Sequence, residues 1–154
     1  MKYGISGLLF VFVFAATLFA VDGKKAQYIG GTVSVIPENS EGSFTTNAQD
    51  KITFTYKKST WEVTYAQITG LEYGQKAGRR VGVAIAISPI ALFSKKRKHY
   101  LTINYNDVSG KTQAAVFEIG KNIIRTTLTI LETRSGKTIE YQDEEARKAG
   151  RGSD

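Results

Sequence analysis

Apolar and polar residues alternate along most of this chain, the period-two pattern of strands that bury one face. Thr32-Val33-Ser34-Val35-Ile36 alternates as far as Pro37, which ends the run. Residues 38–42 are turn-forming, and Phe44 heads a short piece before Asn47-Ala48-Gln49-Asp50. Ile52, Phe54 and Tyr56 then share one face, with Lys51, Thr53 and Thr55 on the other. Lys57-Lys58-Ser59-Thr60 turns the chain. Trp61, Val63 and Tyr65 alternate with Glu62 and Thr64, and Ile68, Leu71 and Tyr73 continue the apolar face after a break near Gly70. Further on, Leu101, Ile103 and Tyr105 alternate with Tyr100, Thr102 and Asn104. Asp107-Val108-Ser109-Gly110-Lys111 reads as a hairpin loop in which glycine supplies a positive φ, and Ala115, Phe117 and Ile119 form the returning strand. The expectation is a meander of antiparallel hairpins.

The period changes at Lys121. Ile123, Ile124, Leu128, Ile130 and Leu131 suit one face of a helix over 123–131, with Gly136 as its stop. The density of Thr and Ile weakens helix propensity, so a strand stays open as the alternative. Lys137-Thr138-Ile139-Glu140-Tyr141 looks extended, as an addition to a sheet edge. Residues 142–154 form a polar tail whose end is expected to fray, with a brief helical turn around Asp143-Glu144-Glu145-Ala146-Arg147-Lys148.

Two segments fall outside this pattern. In residues 1–20, Lys2 precedes the apolar run Leu8-Leu9-Phe10-Val11-Phe12-Val13-Phe14-Ala15-Ala16, and Ala20 offers a small residue for cleavage. That is the layout of a secretory signal, with an uncleaved membrane anchor as the competing reading. Residues 21–27 then form a short leader to one domain over 28–141. The second segment, 81–93, is largely apolar and shorter than the roughly 20 residues a helix needs to span a bilayer. Arg79 and Arg80 precede it, and Lys95, Lys96, Arg97 and Lys98 follow it.

Several antiparallel strands followed by one amphipathic helix is the order of the pleckstrin-homology superfold, and three stretches carry the resemblance. The run Lys51-Ile-Thr-Phe-Thr-Tyr56, a turn, and then the stretch from Trp61 to Tyr73 resemble a signature of bacterial PH-like and GRAM-like domains. Val63-Thr64-Tyr65-Ala66-Gln67-Ile68 stands where that family often has I-P-Y-x-x-I, with threonine in place of the proline. The strand pair from His99 to Phe117 and the helix over 123–131 complete the match. The block from Gly70 to Tyr100 also resembles one in uncharacterised exported bacterial proteins. The resemblance implies a mainly β fold, a PH-like antiparallel barrel or two-sheet sandwich with one C-terminal capping helix. It supplies no activity, because the superfold hosts lipid binding, peptide binding and purely structural roles.

Composition narrows the chemistry. There is no cysteine, so disulfides, thiolate metal sites, cysteine nucleophiles and lipid attachment at a cleavage-site cysteine are all excluded. The net charge is +7, and the chain stays basic once Lys2 leaves with the signal. Export argues against nucleic acid and for anionic lipid or an acidic envelope protein as partner, in the periplasm or outside a bacterial cell. His99 is the only histidine and lies beside Lys98 and Arg97, with no carboxylate near it in sequence. No serine sits in a nucleophile elbow, and no cofactor or metal motif is present. The chain therefore reads as a non-catalytic binding module. Its candidate contact residues are Arg79, Arg80, Ile90, Leu92, Phe93, Lys95, Lys96, Arg97 and Lys98, the apolar ones entering an acyl boundary while the cations meet phosphates. The alternative is a protein-interaction or structural envelope domain in which 81–93 is a buried strand and the flanking cations are a solvated loop.

Overall fold

A computed structural model describes residues 24–76 and 98–152. The strands are β1 (Lys24–Gly31), β2 (Ser40–Thr45), β3 (Lys51–Tyr56), β4 (Ser59–Thr64), β5 (Ile68–Gly74), β6 (Tyr100–Asn106), β7 (Thr112–Ile119) and β8 (Ile139–Tyr141). Helix α1 (Ile124–Ser135) lies between β7 and β8, and α2 (Glu144–Arg151) follows β8. The strands form one sheet in the order β4-β3-β2-β1-β7-β6-β5-β8. Two hairpin meanders, β1 to β4 and β5 to β7, join where β1 pairs with β7. Only β8 runs parallel to its neighbour, β5. The sheet curls into a half-barrel, so the fold is mainly β and consistent with a PH-like barrel with a C-terminal helix.

A 3₁₀ turn, Tyr65–Gln67, carries the chain from β4 at one edge of the sheet to β5 near the other. The Gln67 Oε1 accepts from the Thr64 amide and hydroxyl, while its amide nitrogen donates to the Asn106 carbonyl at 3.2 Å. The curl brings Trp61 on β4 to β6, where its Nε1–H donates to the Tyr105 hydroxyl at 3.2 Å. Phe117 sits at the centre. Its ring centroid lies 5.0 to 5.6 Å from those of Tyr28, Phe44, Phe54 and Trp61.

The helix predicted over 123–131 forms as α1, which buries Ile124, Thr127, Leu128 and Leu131 against the sheet. Gly136 ends it in the left-handed conformation, at φ 67°, and its N–H reaches the Glu132 carbonyl. Burial of that apolar face outweighs the poor intrinsic propensity of its Thr and Ile residues. The extended stretch at 137–141 yields the edge strand β8, as its pattern predicts.

Elsewhere the pattern misleads. The alternating run 32–36 is not a strand: β1 ends at Gly31, whose φ of 143° turns the chain. A Cβ at Gly31 would lie 2.2 Å from the Ala114 carbonyl oxygen, so only glycine permits this approach to β7. Thr32 then hydrogen-bonds Ala114 through both its backbone and its hydroxyl. Residues 24–27, expected to be a leader, belong to β1 and pair with β2 and β7. In β6, Tyr100 and Thr102 are buried along with Leu101 and Ile103, so this strand is covered on both faces rather than one.

Residues 142–152 also differ from a tail. Asp143 caps α2 by accepting from the Ala146 amide at 2.7 Å, and Glu144 and Glu145 in the first turn oppose Lys148 and Arg151 in the last, matching the helix dipole. Ala146 is fully buried. A Cβ on Gly150 would lie 2.7 Å from Tyr141, 3.0 Å from Leu128 and 3.2 Å from Tyr73. Small residues thus seat a helix whose other positions are all charged. Gly150→Leu should destabilise the protein by about 1–3 kcal/mol through overpacking, although leucine is the better helix former. Urea unfolding checks this, and equal or greater stability of the variant would show that α2 is not docked through Gly150.

Candidate functional site

One end of the half-barrel holds a cavity of about 820 Å³ lined by Gln75, His99, Lys121, Asn122, Arg125 and Ala149. Four elements supply these residues. Gln75 follows β5, His99 precedes β6, Lys121 and Asn122 link β7 to α1, and Ala149 lies on α2. The Gly120 carbonyl accepts from the amides of Ile123 and Ile124, which folds the chain from β7 directly into α1 and sets Lys121 and Asn122 at the cavity mouth. The Arg125 Nε donates to the Ala149 carbonyl at 3.3 Å, fixing the guanidinium between the two helices. The volume falls in the range of small-molecule sites.

Among the described residues the lining carries two cations and no carboxylate. Helix α1 begins with no acidic residue in its first turn and no side-chain cap. Lys121 and Arg125 lie beside this positive end of the helix dipole, where cations are electrostatically disfavoured. That arrangement lacks a compensating negative charge among the described lining residues.

His99 is half-buried at the rim. Its Nδ1 is hydrogen-bonded to the Tyr73 hydroxyl, and the two rings are nearly parallel. Burial pushes the Tyr73 phenol up to about 12, so it keeps its proton. Burial, and then Lys121 and Arg125, push the imidazole below its ordinary range against the weaker pull of Glu118. Among the described residues the Tyr73 hydroxyl has no other hydrogen-bond partner. A phenol that keeps its proton can donate to Nδ1, and in that tautomer the neutral ring carries its proton on Nε2.

Of the residues singled out from sequence, Arg79, Arg80, Ile90, Leu92, Phe93, Lys95, Lys96 and Arg97 lie outside the described residues. Lys98 is described. Its Nζ meets the Glu118 carboxylate at 2.7 Å, and this hydrogen bond raises the lysine pKa. The Lys98 charge is thus matched within the fold, and Lys98 is not part of the cavity lining.

Lys121, Asn122 and Arg125 went unnoticed in the sequence because only the apolar spacing of this stretch was diagnostic. The signal available was the pairing of Lys121 and Arg125 at a helix start that lacks any acidic residue.

A second depression, about 490 Å³, lies over the outer face of β2, β3 and β4 and is lined by hydroxyls of Ser43, Thr45, Thr53 and Thr55. Among its described lining residues one is charged, Glu62, which is paired with Lys51 at 2.8 Å.

Fold and site together define the class: a mainly β half-barrel with a cationic cavity at one end. No family model matches the chain, and no curated protein matches it.

Proposed function

We propose that this protein is a non-catalytic binding module of PH-like architecture, exported to the bacterial envelope, that engages an anionic lipid surface through its cationic end. The observation that carries the reading is the cavity lined by Lys121 and Arg125, with no carboxylate among the described lining residues. The connection between β5 and β6 supports it. That connection departs beyond Lys76 and returns at Lys98, so it leaves and re-enters beside Gln75 and His99 of the cavity rim. By sequence it brings Arg79, Arg80, Lys95, Lys96 and Arg97. Each cation close to an anionic membrane contributes about 1 kcal/mol, so this set suffices for association without a deep pocket. Residues such as Ile90, Leu92 and Phe93 would add a contribution that salt does not weaken.

Co-sedimentation with vesicles tests the reading. The protein should pellet with phosphatidylglycerol-containing vesicles and stay in solution with phosphatidylcholine alone. Equal behaviour with both would reject an anionic surface as the partner and favour a protein-interaction or structural role.

A further inference from the structure

We infer that the cavity is a specific site for one phosphomonoester group, held by Lys121, Asn122, Arg125 and His99. The inference deepens the reading above, since it rests on the same cationic end, but it assigns that end a defined ligand rather than a diffuse attraction.

Four kinds of donor line one space. Lys121 offers an ammonium and Asn122 a side-chain amide. Arg125 has its Nε committed to the Ala149 carbonyl, which leaves its two terminal nitrogens for a ligand, the fork that matches two oxygens of one anion. His99 has its Nδ1 committed to Tyr73, which leaves Nε2 as the ring nitrogen turned to a ligand, a donor in the tautomer in which Tyr73 donates to Nδ1. A carboxylate has two oxygens to share among these donors. A phosphomonoester has three terminal oxygens and close to two negative charges at neutral pH, which answers both cations together. The cavity is much larger than a phosphate, so it has room for the group to which the ester is attached. That group could belong to a lipid or to a soluble molecule, and the chemistry recognised is the same.

The chain contains one histidine, so the ring resonances of His99 report on this cavity without assignment ambiguity. The experiment follows the His99 ring by NMR at pH 7.5 and constant ionic strength. It uses inorganic phosphate, glycerol phosphate, sodium chloride, and vesicles of phosphatidate or phosphatidylglycerol in phosphatidylcholine. Vesicle pelleting is measured in parallel.

Phosphate and glycerol phosphate should each give a saturable shift that chloride does not, and the bound dianion should raise the pH midpoint of the ring. Lys121→Ala and Arg125→Ala should each weaken this response at least tenfold. Both side chains are exposed, so the variants are expected to fold, and unchanged Trp61 fluorescence checks this. A response to phosphatidate vesicles that exceeds the response to glycerol phosphate identifies a lipid-borne ligand. Saturation by glycerol phosphate without pelleting on any vesicle upholds the site, identifies a soluble ligand, and removes the membrane reading. Pelleting on anionic vesicles with the His99 ring unmoved in every arm overturns the site and leaves the surface reading intact. A shift that chloride reproduces, or one unaltered in both variants, also overturns it.

Discussion

Phe117→Ala is expected to destabilise the protein by about 3–5 kcal/mol, a large part of the 5–15 kcal/mol typical of a folded domain. The reason lies in the curl of the sheet. Phe117 is fully buried on β7, and the rings around it come from β1, β2, β3 and β4. Truncation leaves a cavity among rigid side chains that are held by four separate strands. Such a site collapses poorly, so the loss of contacts adds to the lost transfer of apolar surface. Trp61 is the only tryptophan, and its ring lies 5.2 Å from that of Phe117. Its fluorescence therefore follows urea unfolding at the site itself. Phe117→Leu fills most of the space and should cost markedly less. A Phe117→Ala variant within about 1 kcal/mol of the parent would mean that the five rings do not form one packed unit.

Arg134→Ala should cost about 1.5–3 kcal/mol, the range for losing charge-assisted hydrogen bonds to partly buried groups. One terminal nitrogen of Arg134 donates to the carbonyls of Thr46 and Ala48, at 2.5 and 2.6 Å, and to the Tyr65 hydroxyl at 3.1 Å. The guanidinium also lies over the Tyr65 ring, 5.5 Å from its centroid. One side chain at the end of α1 thus ties together the β2–β3 connection and the 3₁₀ turn. Without it, the Ala48 carbonyl loses this donor and the Thr46 carbonyl keeps only the Tyr65 hydroxyl, at 3.4 Å. Lysine keeps the charge but not the planar group that stacks on Tyr65, so Arg134→Lys should recover only part of the loss. Chemical denaturation gives the magnitude, and hydrogen exchange gives the place: the Tyr65 amide, bonded to the Asp50 carbonyl at 2.9 Å, should exchange faster. Unchanged stability and exchange would show that Arg134 is only a surface cation.

Much of the fold is legible in the pattern because burial of one sheet face is a period-two property. Ile52, Phe54, Trp61, Val63, Leu101, Ile103 and Phe117 fall where alternation puts them. The helix and its Gly136 stop are legible for the analogous reason. What alternation cannot register is backbone packing. The run 32–36 has a strand's pattern, yet the close approach of Gly31 to Ala114 ends β1 before it. Nor does hydropathy register docking by small residues: α2 looks like a polar tail because its contact face is Ala146 and Gly150. The basic clusters at 79–80 and 95–98 stand out because they are contiguous. The cavity does not, since Gln75, His99, the stretch 121–125 and Ala149 are far apart in the chain and meet only when β5, β6, α1 and α2 converge.

The anionic-surface reading is tested most directly by the salt dependence of vesicle binding, compared between the parent protein and a variant carrying Lys121→Glu and Arg125→Glu. Fifty and 200 mM salt bracket the range in which exposed charges pass from weakly to strongly screened. The account predicts that the parent binds phosphatidylglycerol vesicles at low salt and loses much of that affinity at high salt. The reversed variant should fold normally, bind markedly more weakly than the parent at low salt, and show a shallower salt dependence. Equal binding by parent and variant, with the same salt response, would contradict the account and remove Lys121 and Arg125 from any role in recognition.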